Sequence, residues 1–345
     1  MKILILEFIT GGGMVDMPLP GNLVIEGQLM LDAIVTDLLE LEQIQLMVLR
    51  DARLPKPAFM GDNSSYDCIF VTSDQGFQTI WQQTIQRVDA VLSIAPETMG
   101  ILTGLCADVE NAGKLLLNSS SHAVEITSSK LETFRLLYRA GIPVIHTQLF
   151  NDALNISPPW VIKPDDGVGC DKVVVIDDQQ ALNDFIETSV MDETGDKNEL
   201  IIQPLVVGQS ASLSVVFNNK NAFLLTYNKQ LIETKQGRVF LDGCRVGEQT
   251  NYWALYQTLV KRIAECLPGL KGYVGIDVIE MDDGPVVVEI NPRLTTSYAG
   301  IHKALGINPA RVILDSFVTD FNLIAQASMD SIQPVSIDLS ALHDY

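Results

Sequence analysis

Four side chains between residues 271 and 297, in the stretch KGYVGIDVIEMDDGPVVVEINPRLTTS, have types and spacing suited to holding a cation beside transferable oxygens: Asp277, Glu289, Asn291 and Arg293. Two runs rich in Val and Ile flank Asp282-Asp283-Gly284, the signal for two antiparallel strands joined by a short glycine-containing turn. A three-residue turn at 282–284 pairs Met281 with Pro285 and Glu280 with Val286; counting back along that ladder sets Asp277 opposite Glu289. Side chains two apart on a strand share a face, and cross-strand partners have Cβ atoms about 5 Å apart. Asn291 therefore faces the same spot as Glu289. Two carboxylates that close repel unless a cation sits between them, and an all-oxygen set with room for water and phosphate suits Mg²⁺. The alternative is an ordinary solvent-facing strand edge. Pro292 and Arg293, a fixed turn and a guanidinium, favour the metal. On a continued strand Arg293 shares the face of Asn291.

A second stretch, WVIKPDDGVGCDKVVVI (160–176), reads as a strand ending in Lys163-Pro164, a loop with Gly167 and Gly169, and a strand from Val173. Free backbone N–H groups in such a loop wrap phosphate oxygens, and Lys163 adds a point charge. Asp165, Asp166 and Asp171 suit a lid closing over a metal-bound polyphosphate better than an isolated phosphate loop. Further on, AFLLTYNKQLIE is expected to present Asn228 and Lys229 at a strand end, with Lys229 toward bound phosphate.

The set Asp277, Glu289, Asn291 and Arg293 resembles the metal-binding end of the ATP-grasp superfamily. Within it, GYVGIDVI and EINPRLTTS, with SASLSVV and SIAPE upstream and ILILEF at the start, resemble the tyramine-glutamate ligases of methanofuran biosynthesis. The resemblance spans most of the chain. It implies ATP as cofactor with Mg²⁺, or Mn²⁺, on Asp277, Glu289 and Asn291; Lys130 and Lys163 on the phosphates with Gly167 and Gly169; adenine against Gln203, Leu205 and Val206; and ribose near Ser210. Many relatives carry Glu at the positions of Gln203 and Ser210. It also implies the reaction: a carboxylate, the γ-carboxylate of L-glutamate, takes the γ-phosphate to give an acyl phosphate. The amine of tyramine or a tyrosine-like compound then attacks, with Arg293 offsetting charge on the acyl group. Candidate substrate contacts are Glu7, Gly12, Glu97, Thr295 and Thr296. Two alternatives stay open: an ATP-grasp ligase joining two amino acids, and a nucleotide sensor without chemistry.

The elements that must position these residues read as follows. Residues 2–6, 44–49, 67–72 and 88–94 are apolar runs without alternation, the mark of buried parallel strands. Leu23, Gly27, Met30, Leu31, Ile34, Leu38 and Leu41 make one apolar helical stripe. The chain therefore opens with a doubly wound α/β domain (1–118), and the resemblance implies that an ATP-grasp module of two α+β subdomains (119–205 and 206–345) follows. The loop Thr10-Gly11-Gly12-Gly13 lies where such folds keep their ligand crevice. It lacks the direct glycine-to-helix spacing of a dinucleotide fingerprint. Glu7 and Glu97 lie at strand ends there, suited to a cationic amine; helix capping by Glu97 is the competing reading. SSKLETFRLLYRAGIPV reads as a capped helix stopped by Gly141 and Pro143. A core helix over 251–267 places Leu255, Leu259, Ile263 and Leu267 inward, and a last long helix runs around 310–324. The segment at 193–199 reads as a surface tip.

The chain has 345 residues, 47% hydrophobic and 19% charged, enough for a sizeable core. Its net charge of -20, from 43 acidic and 23 basic residues, repels polyanions, so a nucleic-acid partner is disfavoured and a nucleotide must be held by local cations. No run reaches the about 20 apolar residues of a membrane helix. Cys68, Cys106, Cys170, Cys244 and Cys266, odd in number and without a CxxC pair, read as reduced thiols in a cytoplasmic protein. Small carboxylate and amine substrates are the expected partners, with a homodimer left open. The four histidines, His122, His146, His302 and His343, are scattered and read as structural or surface.

Overall fold

The structure is a computed structural model describing residues 1–57, 66–151, 155–169, 172–190, 199–235, 237–318 and 332–340. Strands β1 (Lys2–Glu7), β2 (Gln45–Asp51), β3 (Tyr66–Val71), β4 (Ala90–Ile94) and β5 (Leu115–Leu116) form a parallel sheet in the order β3-β2-β1-β4-β5. Helices α1 (Gly21–Leu39), α2 (Phe77–Ile85) and α3 (Ile101–Asn111) alternate with these strands. Ile3, Leu4, Ile5 and Leu6 are all fully buried, because apolar clusters lie on both faces of β1. This is the doubly wound unit implied by the runs. In α1 the buried stripe is Gly27, Met30, Leu31, Ile34 and Leu38. Leu23, expected in it, is exposed.

The second unit begins with α4 (Ser121–Ser128) and α5 (Lys130–Arg139). Each is capped by the serine before it: Ser120 Oγ accepts from Ala123 N–H and Ser129 Oγ from Glu132 N–H. Gly141 takes a left-handed φ of 66° after α5, where a side chain would be strained. Then follow β6 (Gln148–Leu149), β7 (Trp160–Pro164), β8 (Val174–Ile176), α6 (Gln179–Val190) and β9 (Leu200–Pro204). The long antiparallel strands β10 (Gln209–Asn218), β11 (Asn221–Lys235) and β12 (Arg238–Val246) precede α7 (Trp253–Cys266) and the hairpin β13 (Lys271–Met281), β14 (Gly284–Asn291). The chain closes with α8 (Tyr298–Leu305), α9 (Pro309–Val318) and β15 (Val335–Asp338). The strand order is β14-β13-β10-β11-β12-β8-β7-β9-β6, with β15 on β12. Among the described residues β12 and β8 register at Arg238 with Val174, so two antiparallel halves meet along a short seam.

One apolar cluster joins both units: Ile3, Leu31 and Ile34 of the first pack in the same core as Tyr298, Ile301 and Ile313 of the second. The wall carrying the hairpin is thereby held against the doubly wound domain by side-chain packing. In α7 Leu259 and Ile263 are buried, as is Leu267 just after it, while Leu255 is exposed, contrary to the expected stripe. Among the described residues no helix is long and apolar enough to cross a membrane, and Cys68, Cys106, Cys244 and Cys266 are free thiols. His302 Nδ1 lies 2.6 Å from Asp37 Oδ1, and His146 packs against the ring of Phe134. Cys170, Asp171, residues 193–198 of the expected tip, 319–324 of the expected last helix, and His343 lie outside the described residues.

Candidate active site

The hairpin pairs Asp277 with Glu289, but by a route the sequence misreads. Only Asp282 and Asp283 form the turn, so Met281 pairs with Gly284 and Glu280 with Pro285, one step off the expected ladder. A bulge between Asp277 and Val278 skips Val288 and restores the pair. Cross-strand pairing of Ser212 with both Asp277 and Asn228 extends the same face across β10 and β11. Gln230 Nε2 donates to Asp277 Oδ1 at 3.0 Å, and Asn291 Nδ2 lies 3.3 Å from Asp277 Oδ2.

Two lysines reach this face from the other half of the module. Lys130, 7% exposed, places Nζ 3.3 Å from Glu289 Oε2 and donates to the carbonyl of Gly167 at 2.6 Å. Lys163, the fourth residue of β7, is equally buried, and its charge acts on both Asp277 and Glu289. Burial and the facing Glu289 push the Asp277 carboxyl well up from its usual range. Burial would raise Glu289 as well, but Lys130 and Lys163 outweigh it and hold that carboxylate down. Two carboxylates that cannot both ionise without added positive charge are a donor pair for a hard cation. Among the described residues no group of three His, Cys, Asp or Glu forms a metal cluster. The third donor here would be the Asn291 amide oxygen, and the all-oxygen set fits Mg²⁺.

Arg293 departs from the expected strand. β14 ends at Asn291, and Arg293 N–H donates to Asn291 O at 2.8 Å, a tight turn around Pro292. The guanidinium swings to the doubly wound domain, where Nε donates to Glu97 at 3.0 Å and 3.1 Å. Glu97 caps no helix; its side chain goes to Arg293. A narrow pocket joins Glu97 to Lys130, Gly167, Glu289 and Asn291, so the arginine's partner and the Lys130 ammonium border one space.

The other expected contacts divide. Glu7 is turned into its own loop: its carboxylate accepts from Ile9 N–H, Thr10 N–H and Thr10 Oγ1, and burial raises it. Gly12 is packed so that a Cβ would meet Val71 at 2.5 Å, with φ at 92°. Thr295 Oγ1 lies 3.0 Å from Tyr273 Oη, in a buried hydroxyl cluster with Ser214 and Ser297. Thr296 Oγ1 donates to Glu26 Oε1 at 2.5 Å. Gln203 is buried with Nε2 on Thr147 Oγ1, and Leu205 N–H is engaged by Pro159 O; Val206 is half-buried at the same strand end. Ser210 pairs with Ile279 and shares the face of Ser212. Gly169 takes a φ of 63° in the glycine-rich loop.

Lys229 requires a correction. β11 runs on to Lys235, and Lys229 pairs with Ala211, the face opposite Asn228, Gln230 and Asp277. Strand alternation thus aims Gln230, not Lys229, at the carboxylates. Gln230 and Glu26 are absent from the sequence reading. The period-two face of Asn228 carries the signal for Gln230; Glu26 meets Thr296 across 270 residues and leaves no local signal.

Comparison with known proteins agrees with this geometry. The family described as ATP-grasp domain matches residues 127–297, and that described as pre ATP-grasp 3 domain matches 44–124. The tyramine–L-glutamate ligase of Methanocaldococcus jannaschii is 25% identical over 306 residues, 87% of this chain and 84% of that protein. The crystal structure of an ATP-grasp superfamily protein from Archaeoglobus fulgidus superposes with a TM-score of 0.68 at 23% identity, covering 98% of this chain and 92% of that one. An L-amino acid ligase from Bacillus licheniformis shares the fold at a TM-score of 0.65 and 15% identity, covering 97% of this chain and 78% of the other. With a pre-ATP-grasp domain leading into an ATP-grasp domain, the chain belongs to the ATP-grasp family of ATP-dependent carboxylate–amine ligases.

Proposed function

We propose that the chain joins the γ-carboxylate of L-glutamate to the amine of tyramine or a tyrosine-like compound, a step of methanofuran-type cofactor synthesis. The carrying observation is the convergence of Asp277, Glu289, Lys130 and Lys163 on one face, in a chain similar over most of its length to a tyramine–L-glutamate ligase. Asp277, Glu289 and Asn291 would hold Mg²⁺, with Mn²⁺ as an alternative, and a bound ion would supply positive charge to offset that of the phosphates. Lys130 and Lys163 hold the phosphates, beside Gly167 and Gly169. Gln203, Leu205 and Val206 border the adenine, and Ser210 the ribose.

A glutamate carboxylate oxygen attacks the γ-phosphorus, ADP leaves, and an acyl phosphate forms. The amine then attacks the acyl carbon and phosphate departs with the carboxylate oxygen. Positioning and charge neutralisation carry such transfers, and no nucleophilic side chain is required. Arg293 faces the acyl group and stabilises the oxyanion of the tetrahedral adduct. Thr296 and its partner Glu26 line the amine side. A screen of amines with L-glutamate and Mg-ATP, read by product mass, tests the assignment. A γ-glutamyl amide of tyramine with equal ADP supports it; product only with a second amino acid overturns the acceptor.

A further inference from the structure

We propose that Glu97 is a positioning residue for Arg293, and that the turn it opens ties the glycine-rich loop to that arginine. The proposal rests on the acyl-phosphate reading of Arg293 given above. Both Glu97 oxygens take the same guanidinium N–H, Nε at 3.0 Å and 3.1 Å, and Nη1 donates to Leu294 O at 3.2 Å. The side chains are 14% and 5% exposed for Arg293 and Glu97, so the charge-assisted bond is shielded from water. Held at Nε and Nη1, the guanidinium has its rotation about the stem fixed. Nη2 has no partner among the described residues and stays available to an oxyanion.

The next two residues reach the opposite way. Thr98 Oγ1 donates to Asp166 O at 3.0 Å, and Met99 N–H donates to Asp166 Oδ2 at 2.9 Å. Met99 has a φ of 57°, a left-handed conformation that costs energy for a residue with a Cβ. Its side chain is 82% exposed, so side-chain packing does not account for that conformation, and the bond from its N–H to Asp166 is made in it. On its other side the loop is fixed to α5: Lys130 N–H and Leu131 N–H donate to Asp165, and Lys130 Nζ to Gly167 O. Three consecutive residues, 97 to 99, therefore connect the phosphate-holding loop to the arginine at the acyl carbon. Glu97, read from the sequence as a contact for the substrate amine, is in this arrangement occupied by the enzyme's own cation.

Four variants test this: Arg293→Lys, Glu97→Gln, Asp166→Ala and the Glu97→Gln/Asp166→Ala double. Ligation kcat, KM for ATP and melting temperature are measured for each. Glu97→Gln is expected to lower kcat about 10- to 100-fold, the scale for losing a supporting partner or misplacing a reactive group. Its KM for ATP should move much less, a split that loss of general stability would not produce. Asp166→Ala is expected to lower kcat as well, and the double to cost less than the product of the singles, because both cut one tie. A normal kcat in Glu97→Gln beside a slow Arg293→Lys overturns the positioning role alone. A normal rate in Arg293→Lys overturns the reading of the arginine instead. Multiplicative effects in the double overturn the tie. If Glu97→Gln melts early, Glu97→Asp, which keeps the charge and shortens the reach, decides: a wild-type kcat there overturns the proposal.

Discussion

Lys130 Nζ stands 3.3 Å from Glu289 Oε2, an ammonium at the start of a helix resting on a carboxylate from the far strand of the hairpin. The same ammonium holds the loop carbonyl of Gly167. A phosphate group entering between them would exchange these contacts for its own oxygens. Lys130→Ala is therefore expected to raise the dissociation constant for a non-hydrolysable ATP analogue about 10-fold or more, the worth of one hydrogen bond to a charged group. Isothermal titration checks this. An unchanged constant would mean that Lys130 serves only to anchor the loop.

Gly275 pairs with Asn291, and a Cβ built on it would lie 2.5 Å from Thr295 Cγ2. Its φ is ordinary, so crowding alone forbids a side chain there. Gly275→Ala should push the segment 292–297, which carries Arg293, out of place, at a cost of about 1 to 3 kcal/mol. Ligation should fall by more than ATP affinity does. Equal losses in both would contradict this.

Tyr273 Oη lies within hydrogen-bond distance of Ser214, Thr295 and Ser297, and Asn228 Nδ2 donates to Ser214 at 2.9 Å. Removing this hub in Tyr273→Phe leaves buried hydroxyls short of a partner, worth about 1 to 3 kcal/mol. The melting temperature should drop by several degrees; no drop would show that the cluster reorganises freely.

The hairpin shows what is legible in the sequence and what is not. The Asp277 and Glu289 pair is recoverable from the Val/Ile runs and the turn residues. The expected three-residue turn and the actual two-residue turn with a bulge lead to the same partner, because each leaves one residue of the ladder unmatched. Lys163 and the glycine-rich loop are legible because they are local. The departure of Arg293 is not, since alternation assumes a continuing strand, whereas the chain turns at Pro292 toward a carboxylate 196 residues away. Lys229 is misplaced for a similar reason: the strand continues past its expected end, and one step of alternation reverses the face. Contacts made only by packing of the two units, such as Glu26 with Thr296, have no signature in either segment.

Asp37 of α1 accepts from Tyr298 Oη at 2.7 Å and faces His302 and Glu40, joining the two units. Burial raises its carboxyl above the usual 3.8, more than its hydrogen bonds to Tyr298 and His302 lower it. Between 3.8 and that raised value the folded chain binds a proton that the unfolded chain does not. Its contribution to stability therefore grows as pH falls through this window and is lost as pH rises above it. Urea midpoints at pH 7 and pH 4.5 should show the wild type gaining on Asp37→Asn at the lower pH. A gain by the variant instead would reverse the sign assigned to Asp37.

The central claim is that a carboxylate is activated as an acyl phosphate before the amine attacks. L-Glutamate labelled with ¹⁸O in its γ-carboxylate, turned over with ATP, Mg²⁺ and tyramine, tests it by mass analysis of the released phosphate. The account predicts one ¹⁸O in each inorganic phosphate, with amide, ADP and phosphate formed in equal amounts. Amide formation with unlabelled phosphate would contradict it.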